Sequence, residues 1–173
     1  MKKVVAVKLI IGLIAKDEAL FLKAQKKIEK NFAEIDFKSE FFNFDYTNYY
    51  REELGSNLKR QFLSFKKLIN PGKIYKIKIY AQKIEKLFCQ AGKRRINIDP
   101  GYLDLAKLVL VTTKDFSHRI YLGQGIYAEV TLIYKNGAFQ HLDWTYPDYR
   151  TDSYKKIFGT IRNIYHKQIN ETN

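Results

Sequence analysis

The spacing of apolar residues divides the first seventy residues into alternating strands and helices. Residues 4–14 form an apolar, β-rich run that is typical of a buried strand. Asp17 opens a predicted helix that continues to about Phe32, with apolar residues at helical spacing. Residues 34–44 alternate between apolar and polar and predict a second strand. Residues 58–69 fit a helix or a strand, and we favour a strand.

Two stretches between these elements contain strong local signals. Residues 45–55, which include Tyr46, Tyr49 and Tyr50, predict an ordered loop or short turn. Asn70 and Pro71 form a standard helix start, with Asn as the cap and Pro in the first turn. Apolar residues then recur at helical spacing as far as Phe88, and Gly92 follows as a stop signal.

The second half is rich in strands. Apolar and polar alternation predicts strands at residues 94–99, 105–113, 118–122, 126–134 and 138–142. Residues 99–101, Asp-Pro-Gly, read as a turn. Asn136 and Gly137 tolerate the positive φ of a type I′ turn, so they predict a hairpin. An amphipathic helix is predicted over residues 152–167.

This order of elements predicts a single α+β domain over residues 1–173. Its first six elements, β-α-β-β-α-β, match a ferredoxin-like arrangement. An antiparallel β meander and a C-terminal helix follow and would extend or curl the sheet.

Composition narrows the class of protein. Residues 4–15 look briefly like a signal peptide, but Lys8 interrupts the apolar run, so we expect a buried strand and a cytoplasmic protein with no membrane partner. Cys89 is the single cysteine and there are three scattered histidines, which predicts neither a disulfide nor a standard zinc cluster. The net charge of +13 favours phosphate-bearing partners, although a base-composition bias toward lysine accounts for part of it.

Two phosphate-binding motifs can be tested directly. The sequence has no G-x-x-x-x-G-K-[ST] P-loop. Residues 123–128 fit G-x-G-x-x-A, but the dinucleotide fingerprint requires a helix after its glycines, and residues 126–134 read as a strand. A Gly-rich turn between two strands explains these glycines better.

Polar side chains share one face of each strand in the second half, which suggests a ligand site. They are Arg95, Asn97 and Asp99 on one strand, Arg119 and Tyr121 on another, Tyr127, Glu129 and Thr131 on a third, and Lys107 at the start of the remaining one. The alternative is an ordinary solvated sheet face, in which such pairs add a little cross-strand stability.

In the functional interpretation these residues line a polar cleft. Arg95, Lys107 and Arg119 would hold a phosphate or carboxylate, and the neighbouring Asn, Tyr and Thr side chains would complete the ligand-binding set. Asp99 and Glu129 would act as acid or base, or as ligands of a divalent metal. His118 is a further candidate base, although strict alternation aims it away from the face of Arg119.

Several segments carry a family pattern: residues 39–40, 44–50, 97–103, 112–115, 118–122, 125–132 and 144–150. Through them nearly the whole chain resembles the bacterial family called domain of unknown function 4416. The resemblance implies a small single-domain bacterial protein and supplies no established activity or catalytic residues. Some relatives carry a GTP-binding label, whereas the P-loop motif is missing from this sequence.

Three functions therefore stay open. The leading expectation is that the polar cleft binds, and potentially acts on, a phosphate-bearing small molecule such as a nucleotide. A second is a non-catalytic RNA-binding module that uses the lysines of the helix after Pro71 and the tyrosines at 46–50. A third is a protein-interaction scaffold. The oligomeric state is not predicted.

Overall fold

All nine strands in the described part of the chain belong to one antiparallel sheet. The structure is a computed structural model that describes residues 4–46 and 51–171, apart from the side chains of residues 51 and 52. The strands are β1 (Lys8–Ala15), β2 (Ile35–Lys38), β3 (Phe42–Phe44), β4 (Leu58–Phe65), β5 (Ile96–Leu103), β6 (Lys107–Thr112), β7 (Ile120–Gly123), β8 (Ile126–Lys135) and β9 (Ala138–His141). The helices are α1 (Glu18–Asn31), the single turn α2 (Arg51–Leu54), α3 (Ile74–Leu87) and α4 (Asp152–Glu171), with 3₁₀ turns at Pro71–Lys73 and Pro147–Arg150.

The strand order is β2-β4-β1-β5-β6-β8-β7. At one end β2 and β3 pair with different stretches of β4, and at the other β7 and β9 pair with different stretches of β8. The predicted α+β class is confirmed. The ferredoxin-like assignment of the first half stays a prediction.

Helices cover both faces of the sheet. Leu9, Ile11 and Leu13 of β1 pack with α1 and α3 in one core cluster, whereas Ile10 packs with α4 in another. This separation follows from the alternation of side chains along an extended strand. Because β1 is central and buried on both faces, its sequence reads as a continuous apolar run.

Several local predictions are confirmed. Residues 58–65 form a strand, and Asn136 and Gly137 both have positive φ in the turn between β8 and β9. Gly123 ends β7, Gly125 lies in the turn before β8, and a strand rather than a helix follows them. Residues 34–44 are two short strands rather than one, and residues 51–54 form a helical turn. Tyr49 and Tyr50 lie outside the described residues.

Strands β5 and β6 touch over a short distance and then separate. Their register pairs Gly101, Tyr102 and Leu103 with residues 110, 109 and 108, and stops there. The contact is tight at Gly101, where a Cβ atom would lie 2.4 Å from the carbonyl oxygen of Val109. Beyond this point the first half of β5 faces a gap instead of a neighbouring strand.

The predicted turn at residues 99–101 is wrong, because Pro100 lies inside β5 opposite Ile11 of β1. Proline cannot donate a ladder hydrogen bond, so it fits a strand where its nitrogen faces an unpaired edge. The N–H of Ile98 points into the gap toward Glu85, and the nitrogen two residues later points the same way. Pro100 thus removes no hydrogen bond to β1.

A register shift in β8 places one extra residue against β6. Leu132 pairs with Leu108 and Val130 with Val109, so Thr131 has no partner in β6. Such bulges redirect the side chains around them. Glu129, two residues before Thr131, is buried.

Among the described residues, no helix is both long and apolar enough to cross a membrane.

Candidate functional site

A cavity of about 480 Å³ occupies the gap between β5 and β6. One wall comes from β4, β5 and α3, and the other comes from β6, β8 and the segment before β7. The segment at 146–149 lies along it as a third wall. The ionisable lining residues that the structure describes are Tyr46, Arg60, Lys78, Glu85, Arg94, Asp99, Lys114, Arg119, Glu129, Tyr146, Asp148 and Tyr149.

Side chains of α3 replace the missing strand along β5. Glu85 Oε1 accepts a hydrogen bond from the N–H of Ile98 at 2.6 Å, and Lys78 Nζ donates to the carbonyl of Ile98 at 3.1 Å. Burial raises the pKa of Glu85, against the nearby cations Lys78 and Arg94. These two contacts satisfy backbone groups that a neighbouring strand would otherwise pair.

Asp99 is the carboxylate at the centre of this wall. It accepts hydrogen bonds from Lys78 at 3.2 Å and from the amide of Asn97 at 2.6 Å. Burial acts to raise the pKa of Asp99, but Lys78 and Arg60 outweigh it, and the pKa is lowered. Asp99 is therefore an ionised acceptor at neutral pH.

Arg94 closes the base of the cavity. Its Nε and Nη2 atoms bind the two carboxylate oxygens of Glu53 at 2.6 Å each, and its Nη1 atom contacts Glu85 at 3.3 Å and Asn97 at 3.2 Å. This paired geometry is the strong form of an arginine–carboxylate contact. It lowers the pKa of Glu53, chiefly through the hydrogen bond with Arg94.

Arg60 of β4 is buried beside the cavity with a less complete set of partners. Its Nη2 atom lies 3.3 Å from Asp148 Oδ2, and Nη1 lies 3.4 Å from the hydroxyl of Tyr149. The guanidinium lies over the rings of Phe44, Phe62 and Tyr149.

On the opposite wall, Glu129 collects three neighbours. Arg119 Nε donates to its Oε2 atom at 2.7 Å, and His118 Nε2 lies 3.2 Å from the same oxygen. Thr131 donates to the other oxygen at 3.3 Å. Arg119 also donates to the hydroxyl of Tyr146 at 3.1 Å, which links this wall to the third one.

The structure brings together part of the set predicted from the strands. Asn97, Asp99, Arg119 and Glu129 line the cavity, and the buried Thr131 contacts Glu129 from behind.

Four other predicted residues do not line the cavity. Arg95 lies just before β5 and lines a separate depression of about 350 Å³ with Lys16 and Asp17. Lys107 lies at the opposite end of β6 from the cavity and pairs with Asp104. Tyr121 and Tyr127 contact each other across β7 and β8, with ring centroids 5.3 Å apart.

His118 departs from its predicted orientation. Strict alternation aimed it away from Arg119, yet both residues contact the same oxygen of Glu129. The reason is that β7 begins at Ile120, so His118 and Arg119 lie in the preceding turn, where strand alternation does not apply. The ring of His118 is stacked between Phe116 and Trp144, and it does not line the cavity.

Sequence reasoning missed Arg60, Lys78, Glu85 and Asp148. A signal existed for three of them. Lys78 and Glu85 are seven residues apart on the apolar stripe of α3, whose buried positions are Ile74, Ile77, Lys78, Ala81, Ile84 and Glu85. Arg60 likewise lies between the buried Leu58 and Phe62 on one face of β4. Asp148 carries no comparable signal, because it belongs to a short 3₁₀ turn.

The sequence suggests Asp99 and Glu129 as ligands of a divalent metal. Across residues 4–46 and 51–171, no three His, Cys, Asp or Glu side chains come together in a way that could hold a metal ion. Each of the two carboxylates is instead surrounded by cations and hydrogen-bond donors.

Comparison with known proteins identifies a family for this chain. No curated protein and no solved structure matches this chain. The family model described as "Domain of unknown function (DUF4416)" matches residues 5–165, which includes every strand of the sheet and every described wall of the cavity. The chain therefore belongs to the DUF4416 family.

Proposed function

We propose that the protein binds a small phosphate-bearing molecule of nucleotide size in the cavity between β5 and β6. The volume of about 480 Å³ supports this, because it lies within the range of about 300–1,000 Å³ that small-molecule sites occupy. The cavity also lies inside the sheet, where walls on several sides can surround a ligand.

The observation that carries the proposal is the number of cations gathered around one cavity. Five cationic side chains line its described walls, and they come from different parts of the chain: Arg60, Lys78, Arg94, Lys114 and Arg119. Guanidinium and ammonium groups are the usual partners of phosphate oxygens. A ligand with several anionic oxygens could contact more than one of them at once.

Carboxylates line the cavity together with these cations and could bind the parts of such a ligand that carry hydrogen-bond donors. Asp99 is ionised at neutral pH because its pKa is lowered, so it can accept hydrogen bonds from ligand hydroxyl or amino groups. Glu129 is held by Arg119 and His118 in a fixed orientation. A sugar and a base offer such donors, which favours a nucleotide over inorganic phosphate as the preferred ligand.

The lysines of the RNA-binding alternative lie on another surface, whereas Tyr46, one of its tyrosines, lines the cavity. The exposed lysines of α3 and of the 3₁₀ turn before it, at positions 73, 76, 83 and 86, do not line the cavity. Binding through them would weaken steeply with salt, since each phosphate contact releases counterions. Binding inside the cavity, through few contacts, would depend less on salt.

Isothermal titration calorimetry with adenosine and guanosine mono-, di- and triphosphates, with and without magnesium, tests the proposal. We expect Arg119→Gln to weaken binding about tenfold or more, because it removes a cation from the wall. The matched control is Lys107→Gln, which removes a lysine outside the cavity and should leave binding unchanged.

The proposal fails if no phosphate compound binds, or if Arg119→Gln and Lys107→Gln have the same effect. Thermal unfolding of each variant verifies that it is folded. A short single-stranded RNA in the same assay, titrated at two salt concentrations, distinguishes the α3 lysine surface from the cavity.

A further inference from the structure

Arg60 is a buried cation with an incomplete set of hydrogen bonds. Its side chain is 4% exposed, and its two hydrogen bonds, to Asp148 and Tyr149, are 3.3 and 3.4 Å long. Its Nε atom is buried and has no hydrogen-bond partner within 3.5 Å among the described residues. A guanidinium carries five N–H donors, and these two bonds use one from each terminal nitrogen. Tyr154 also interacts with Arg60, and its buried hydroxyl has no hydrogen-bond partner within 3.5 Å among the described residues.

Packing, rather than its ion partner, fixes the position of Arg60. The guanidinium carbon lies 4.9 Å from the ring centre of Phe44, 5.4 Å from that of Phe62 and 5.7 Å from that of Tyr149. Gly12 leaves the necessary space on β1, where a Cβ atom would lie 2.8 Å from Arg60 Nη1. The cation therefore keeps its place whether or not an anion is bound to it.

Asp148 is a poor match for this cation. A guanidinium binds a two-oxygen partner best along the side that carries Nε and Nη2, and Asp148 reaches Nη2 alone. Arg94 provides the contrast within the same molecule, because Glu53 contacts both its Nε and its Nη2 at 2.6 Å. Burial raises the pKa of Asp148 despite the nearby Arg60, which indicates a carboxylate that is weakly stabilised where it lies.

The segment that carries Asp148 is attached to β8 by hydrogen bonds of Trp144 and Thr145. Residues 143–150, here called the strap, run from β9 toward α4. Thr145 donates to the carbonyl of Thr131 at 2.6 Å, and Trp144 donates to that of Val130 at 2.8 Å. Tyr149, which follows Asp148, is buried and packs on Phe62, Tyr154 and Phe158. The strap is thus anchored on both sides of Asp148, and the exchange needs only the side chain of Asp148 to turn.

We infer that Asp148 occupies the place of a ligand's phosphate group on Arg60, and that the phosphate displaces it by binding Nε and Nη2 together. The inference rests on the proposed function, since it assigns the anion-binding position within the same cavity. Because Nε is buried and Asp148 contacts Nη2, the exchange requires the side chain of Asp148 to turn away from Arg60. Asp148 is then an internal competitor, and the affinity for phosphate is set by how readily it leaves.

The decisive variant is Asp148→Asn, which keeps the shape of the side chain and removes the competing charge. We expect it to bind inorganic phosphate and nucleotides about fivefold or more tightly than the unchanged protein does. A pair that merely stabilises the fold would give unchanged or weaker binding. Arg60→Lys, which keeps the charge but loses the two-pronged geometry, should weaken binding about tenfold.

Asp143→Asn is the matched control, because it removes one negative charge from an exposed position on the same strap. Equal tightening by Asp143→Asn and Asp148→Asn would overturn the inference, since it would show a general effect of charge.

The outcomes separate this inference from the proposed function. If nucleotides bind the unchanged protein and Asp148→Asn equally well, the cavity remains the site and the exchange on Arg60 is overturned. If neither protein binds any nucleotide or inorganic phosphate, both proposals fail. Should Arg60→Lys not fold, the comparison of Asp148→Asn with Asp143→Asn decides the question by itself.

Discussion

Glu85 Oε1 lies 2.6 Å from the backbone nitrogen of Ile98, so a helix side chain takes the position that a strand carbonyl would hold in a continuous sheet. Lys78, one helical heptad earlier on α3, contacts the carbonyl of the same residue. The pair lets β5 keep its hydrogen bonds while its edge stays open to the cavity. A polar cavity inside a sheet depends on such substitution, because unpaired buried backbone groups are costly.

Replacing Glu85 tests this arrangement. Glu85→Ala leaves the N–H of Ile98 unsatisfied and removes a carboxylate from Arg94, so we expect a loss of about 3 kcal/mol in the free energy of unfolding. Glu85→Gln retains an acceptor oxygen and should lose less than half as much. Urea unfolding monitored by circular dichroism measures both, and equal losses would contradict the proposed role of the oxygen.

Gly101 is required where β5 and β6 meet. A Cβ atom at this position would lie 2.4 Å from the carbonyl oxygen of Val109 and 2.8 Å from a methyl group of Leu110. Gly101→Ala should therefore destabilise the protein by about 1–3 kcal/mol, because backbone has to move.

The control for Gly101 is Gly159 in the interior of α4, where a Cβ atom would have no neighbour within 4 Å. Gly159→Ala should stabilise the protein by about 0.5–1 kcal/mol, since alanine restricts the unfolded chain and favours helix. Thermal unfolding of both variants gives the comparison. A stable Gly101→Ala protein would show that the strands can separate there at little cost.

Lys8 forms a buried ion pair beneath the C-terminal end of α4. It is fully buried, and its ammonium group donates to Asp36 and, at 2.6 Å, to Gln168. Burial lowers the pKa of Lys8 even though Asp36 opposes it. We expect Lys8→Met and Asp36→Leu each to destabilise the protein by about 3 kcal/mol, because each leaves its partner without a counter-charge.

The double variant Lys8→Met/Asp36→Leu should lose clearly less than the sum of the two single losses. Denaturant unfolding at neutral pH supplies the four free energies of this cycle. Strictly additive losses would mean that the two charges do not interact energetically, whatever their distance.

Asp99 predicts a specific dependence of stability on pH. Burial opposes ionisation, but Lys78 and Arg60 outweigh it, so the pKa lies below its ordinary value of 3.8. The stabilisation from the ionised carboxylate is therefore complete well above pH 3.8 and is lost as the pH falls through the lowered value. The stability difference between the unchanged protein and Asp99→Asn should be largest at neutral pH and shrink below pH 3.8.

Urea unfolding of the two proteins over this pH range measures that difference directly. A difference that stays constant from neutral to acidic pH would contradict the lowered pKa of Asp99.

Local patterns predicted most of the secondary structure because short-range physics decides it here. The Asn136-Gly137 hairpin and the Asn70 cap need no information from distant residues. The predicted turn at Pro100 failed for a long-range reason, since the open edge of β5 that tolerates proline exists through contacts with α3.

The candidate site was predicted in part for a similar reason. Alternation placed Asn97 and Asp99 on one face of a strand and Glu129 on the polar face of another, and all three line the cavity. It could not show that the cavity occupies one end of β6, which leaves Lys107 outside. Nor could it reveal that Arg60 meets Asp148, since 88 residues separate them in sequence.

β5 and β6 pair over three residues and diverge beyond Gly101, so a change in the angle between the strands would act about this contact. Asn97 lies four residues from Gly101, which is about 13 Å along the strand. A rotation of about 5° between the two strands would change the opening there by about 1 Å over that length. The distance between the two strand walls of the cavity thus depends on the angle at which β5 and β6 diverge.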